Sequence, residues 1–240
     1  MGTIEKSFIP ILDQLLVDRV ERCMSQFDDE LFACQFGVNA SVSTLATSHY
    51  LHTDDPIGEA CKLHTLKATH DFLAAYQLLR SSMHSQAANA ARLGCETAWQ
   101  NAWFHEEPSR AARWAGGVRV EPGQVRAQLP RLRDQRRALY RELSQLAHPN
   151  KQAMVCLAPP AAGVREIDLD VLLPTYDPER IRRMVVLLFY ALLLALSDFG
   201  VYHLSGLNPG QRAAFGKQEE SMREYYELVA KTQLPRELHL

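Results

Sequence analysis

The sequence lacks every short signature that would announce a common chemistry. It has no GxxxxGK[ST] phosphate loop, no GxGxxG dinucleotide turn, no HExxH, no GxSxG elbow and no EF-hand loop. Those absences argue against P-loop NTPases, dinucleotide-dependent dehydrogenases, zincins and elbow-type hydrolases. Cysteine is sparse: Cys23, Cys34, Cys61, Cys95 and Cys156 are odd in number and never spaced as CxxC. That usage suits reduced, buried thiols in a cytoplasmic protein and no structural zinc. The opening stretch MGTIEKSFIPILDQ has no basic segment followed by a clean apolar run, so no secretory signal is expected. Long apolar runs are short of membrane length too. Met184 to Leu196 is uninterrupted for thirteen residues, against the roughly 20 that a spanning helix needs. With Asp198 and Gly200 close behind, it reads as a central core helix and not as a membrane anchor.

What is present is globular. The 240 residues are 47% hydrophobic and 22% charged, enough apolar material for a substantial core and too much for disorder. The formal net charge is only -2, but it is unevenly spread. Residues 1–109 carry 14 acidic and 7 basic side chains, whereas 110–141 carry nine arginines against Glu121 and Asp134. A basic middle on an acidic chain points to an anionic ligand or partner, or to pairing with the chain's own acidic helices.

Apolar residues recur at helical spacing along most of the chain. Leu12, Leu16, Val20, Cys23, Phe27 and Leu31 predict a first helix over 8–34, with a bend near Ser25 to Asp28. Residues 35–55 read as loop or broken helix. Asp55-Pro56, Glu107-Pro108, Glu121-Pro122, Asp177-Pro178 and Asn208-Pro209 each read as a helix start, glutamate being the poorer cap. Ser81 and Ser82 mark a break, and Gly116-Gly117 a stop. MVCLAP and REIDLDV alternate mildly and suggest a small β-hairpin within 153–170. The expected architecture is a single all-α domain over 1–240, a bundle of about five long helices. Its core spans about 56–205, with helices 8–34 and 209–232 packed on it.

The stretch Arg131 to Asn150, RLRDQRRALYRELSQLAHPN, combines a strong helical pattern with a chemical face. At about 100° per residue, Leu139, Leu143 and Leu146 cluster on one side. Arg137, Arg141, Ser144 and His148 fall on the other. Arg141 and His148 are seven apart, hence nearly one above the other. A guanidinium and an imidazole of near-neutral pKa suit metal-independent RNA cleavage, one steadying the phosphorane and the other moving a proton. Arg92 and Glu96, four apart, share a helical face. They read either as a partly buried ion pair or, for Glu96, as a group orienting Arg141 or His148.

The Arg141-x6-His148 spacing resembles the R-x4-6-H signature of the HEPN superfamily, all-helical domains that include many metal-independent RNases of toxin and phage-defence systems. Only Arg141 and His148 match that motif by position, and Glu142 stands where the family usually has Asn, Asp or His. The resemblance implies RNA or nucleotide binding, catalysis by Arg141 and His148, substrate contacts from Arg137 and Ser144, and a homodimer. The competing expectation is a non-catalytic helical module docking on a protein partner. His49, His52, Asp54 and Asp55 offer metal-ligand types in HYLHTDDP. Asp55 is already accounted for as a cap and the spacing fits no familiar site, so neither metal nor other cofactor is expected. Trp99, Trp103, Phe104 and Trp114 read as packing.

Overall fold

The computed structural model describes residues 5–48, 56–147, 176–203 and 207–240. In chain order the helices are α1 (Glu5–Gln26), α2 (Asp28–Ser48), α3 (Pro56–Arg80), α4 (His84–Glu106), α5 (Ser109–Ala115), α6 (Pro122–Gln128), α7 (Arg133–Ala147), α8 (Pro178–His203) and α9 (Pro209–Tyr225). The chain leaves α9 through a π-helical turn, Tyr226–Ala230, and one more turn, Lys231–Gln233, then a 3-10 turn at Arg236–Leu238. No strand occurs among the described residues, and the protein is an all-α bundle. The hairpin expected within 153–170 lies outside them, as do His148, Cys156 and the HYLHTDDP ligand types at 49–55.

The bundle is built around α8. Every residue from Met184 to Leu194 is buried, so the helix has no solvent face over that length. Helices α2, α3, α4, α7 and α9 all pack on it. By length and apolar content α8 could cross a membrane, yet 89% of its most apolar stretch is buried inside the bundle. Each fully buried Leu, Val or Phe there contributes about 1.5–3 kcal/mol of transfer free energy.

Helix ends follow the side chains available. Asn208 and Gln211 form a reciprocal capping box at α9, each side chain accepting from the other's N–H at 2.9 Å. Asp177 accepts from the Glu179 and Arg180 amides, both at 3.1 Å, and starts α8. The two glutamates do not cap: Glu121 makes no such bond, and Glu107 instead accepts from Ser109 Oγ at 2.7 Å. At the break between α3 and α4, Ser82 turns left-handed (φ 62°), and the Met83 N–H donates to Leu78 O at 2.9 Å.

One expectation needs correction. Residues 35–48 are helical, and the first break falls at Phe27. Their Ser, Thr and Asn content favours loop, but Cys34, Val38 and Ala40 are buried and Gly37 lies against Leu192 and Met222. Tertiary burial outweighs a propensity deficit of a few tenths of a kcal/mol per residue.

Candidate anion-binding seam

Helix α7 turns Leu139 and Leu143 into the core, with Arg136, Ala138 and Glu142 also buried. Arg137 and Arg141 lie on its exposed side. Arg141 leans toward its neighbour Glu142, with Nε 3.6 Å from the carboxylate. Glu142 also receives Arg183 from α8, so it is a buried carboxylate joining two helices. The residue that departs from the HEPN pattern therefore neutralises part of the charge of the arginine that matches it.

On the other flank of α7, Tyr140 collects two guanidiniums from different helices. Arg126 of α6 lies with its guanidinium carbon 3.6 Å from the ring centroid, and Arg92 of α4 at 5.7 Å. Arg–aromatic contacts of this kind contribute about 0.5–2 kcal/mol each. Arg92 lies by Tyr140, while Cys95, one turn later, feels the charge of Arg136, one turn earlier. Helices α4 and α7 are thus antiparallel. Ser144, one turn beyond Tyr140, extends the same seam.

The Arg92–Glu96 ion pair suggested by their i,i+4 spacing is not formed. Arg92 donates instead to Asn89 at 2.9 Å, and Glu96 faces Arg126 at 3.9 Å. Arginine placed N-terminal to glutamate is the weaker helical order, and the Tyr140 ring competes for the guanidinium. Glu96 accordingly meets neither Arg141 nor any other cation of α7 among the described residues. The structure brings Arg92 and Glu96 together with Arg126 and Tyr140, with Ser144 one turn further along α7, and turns Arg141 to Glu142.

Three donor atoms on α4, α6 and α7 are buried without a hydrogen-bond partner: Arg92 Nε, Ser144 Oγ, and Arg126 Nη1, which faces the Glu96 carboxylate at 3.9 Å. Buried polar groups are nearly always satisfied, and each orphan costs about 1–3 kcal/mol. The guanidiniums of Arg92 and Arg126 are the cationic groups gathered at Tyr140, and a phosphate or carboxylate is the class of ligand they could take, in competition with Glu96. Sequence periodicity missed Arg126 because it sits on a separate short helix. The available signal was Tyr140 itself, an aromatic residue flanked by Arg137 and Arg141.

Asp198 was legible only as an interruption of the apolar run. Arg136 holds it from α7 and Arg131 from the preceding turn, the latter also donating to Ser197 Oγ at 2.8 Å. Burial raises the Asp198 carboxyl above its ordinary value, while Arg136 and Arg131 pull the other way. Leu132 adopts a left-handed φ of 54°, and the adjoining Arg131 carbonyl accepts from Arg136 Nη1. These groups form an internal ion-pair network that ties α7 to α8.

A thiol–imidazole contact lies at another end of the bundle, where Cys61 Sγ is 3.2 Å from His105 Nε2. Burial lowers the His105 pKa, which leaves a neutral ring beside the sulfur. That pairing can activate a nucleophile, but Cys61 is 3% exposed and out of reach of a substrate. His64 nearby is wedged between Phe104 and Trp114, with Nδ1 2.8 Å from Ala60 O and Nε2 3.0 Å from the Gln100 amide. Trp99, Trp103 and Phe104 are buried, as packing residues should be. Among the described residues no group of three or more His, Cys, Asp or Glu side chains is assembled that could hold a metal.

Comparison with known proteins adds no identification: no family model, no curated protein and no solved structure matches the chain.

Proposed function

We propose that the chain binds the phosphates of RNA or a nucleotide along the seam of α4, α6 and α7. The observation that carries this reading is the convergence of Arg92 and Arg126 on Tyr140, with Arg92 Nε buried and unsatisfied. Arg137 on the exposed side of α7 extends the positive face outward. The Arg141-x6-His148 spacing carries the proposal further, to metal-independent cleavage with His148 moving the proton of a 2′-hydroxyl. Pairing of two such faces in a homodimer would enlarge a small catalytic set.

The test is binding of a fluorescent single-stranded RNA at two salt concentrations. Wild-type affinity should fall steeply with salt, and Arg126→Ala or Arg92→Ala should each weaken binding about tenfold and flatten the salt slope by about one unit. Cleavage should vanish in His148→Ala with the melting temperature unchanged. An absence of salt-dependent binding would sink the whole reading, whereas binding without cleavage would sink only the catalytic part.

A second reading has one observation in its favour. Much of the basic stretch is already used internally: Arg131 and Arg136 on Asp198, Arg110 on Glu107, Arg119 on Glu121 and Arg141 on Glu142. A non-catalytic helical module docking on an acidic protein needs fewer free cations than a nuclease does, and would show no RNA binding.

A further inference from the structure

A groove of about 530 Å³ lies between α2, α8 and α9, on surface the seam does not use. That size is within the range of small-molecule sites, about 300–1,000 Å³. Its walls are Phe32, Phe36, Phe189, Met222 and Tyr225, with Ala33 between them. Phe189 and Tyr225 meet edge to face at 4.9 Å, and Phe32 is 68% exposed at the mouth. Polar character comes from Asp29, Glu30, Ser221 and the phenol of Tyr225. Among the described residues neither carboxylate has an ion-pair partner. Their place in the first turn of α2 accounts for acidic charge there. It does not account for four aromatic rings gathered beside that charge.

We infer that this groove binds a small organic cation, an ammonium group carried on an aromatic or alkyl body. The body fills the apolar walls, and the charge lies between the carboxylates of Asp29 and Glu30 and the faces of the aromatic rings. Both groups favour a cation: carboxylates by direct attraction, aromatic faces through their quadrupole. The phenol of Tyr225 registers the same field, its pKa being pushed up to about 12 by burial and then by Glu30, Cys34 and Asp29. An anionic occupant would be repelled. A neutral one would forgo the attraction of Asp29 and Glu30.

The test uses three probes with one body and different charge: 4-phenylbutylammonium, 4-phenylbutanol and 4-phenylbutyrate, titrated calorimetrically into the full chain. The ammonium should bind about tenfold tighter than the alcohol, and the carboxylate more weakly than either. Glu30→Gln should remove most of the preference for the ammonium and leave the alcohol's affinity unchanged. Phe32→Ala, at an exposed position that folding does not depend on, should weaken all three. The proposal is overturned if the alcohol binds as tightly as the ammonium, if Glu30→Gln leaves the preference intact, or if the ammonium does not bind at millimolar concentration. Concentration-dependent self-association that excludes the probe would overturn it in favour of a second copy of the chain.

Discussion

Arg136 Nη2 stands 2.7 Å from both carboxylate oxygens of Asp198, and the two side chains are 1% and 5% exposed. A pair this deeply buried gains little over an apolar substitute, because desolvating both charges offsets their attraction. Removing one partner is another matter. Arg136→Met should cost about 3 kcal/mol, because Asp198 keeps only the partly exposed Arg131 as a partner, and Arg136→Met/Asp198→Leu should recover most of that loss. Urea midpoints of the wild type, single and double variants measure it. A double variant as unstable as the single one would show that shape, and not the stranded charge, sets the cost.

Two helical glycines should respond to alanine with opposite signs. A Cβ on Gly94 would meet the buried Phe72 ring at 2.9 Å, whereas one on Gly216 meets nothing within 4 Å. Gly216→Ala should therefore stabilise by up to about 1 kcal/mol through helix propensity. For Gly94→Ala, overpacking of about 1–3 kcal/mol should exceed that gain and lower the melting temperature.

Stability should fall as the solution is acidified from neutral. Burial lowers the pKa of His64, His84 and His105, with the charge of Arg180 adding to the effect at His84. The fold thus holds neutral rings, while the unfolded chain takes up protons as the pH drops past about 6.5. The stability these rings contribute is full above that pH and is lost as the pH falls through their lowered values. Proton NMR titration of the ring Cε1–H signals checks the direction site by site. Midpoints at or above 6.5 for all three would refute it.

Tyr190 is fully buried at the centre of α8, and its hydroxyl has no hydrogen-bond partner. Tyr190→Phe keeps the ring packing and removes the orphaned group, so it should raise stability by about 1 kcal/mol. Thermal unfolding of the variant decides the matter. A clear loss would mean that the hydroxyl has a partner in solution, such as a bound water.

Sequence pattern alone carried the all-α class, the core role of α8, the serine break between α3 and α4, and the caps at Asp177 and Asn208. These are local properties: apolar periodicity and cap chemistry act over one or two helical turns. The α2 extension to Ser48 was not legible, because its stability comes from residues far along the chain, among them Leu192 and Met222. The same limit applied to the site. Arg137, Ser144 and Arg92 could be chosen one helix at a time, but which charge meets which is fixed by how helices pack. Only the packing of α4, α6 and α7 gave Glu96 to Arg126 and drew Arg92 and Arg126 onto Tyr140. A helical wheel assigns side chains to faces. The partner of each face is set by burial of the apolar surface behind it, and that is a property of the whole chain.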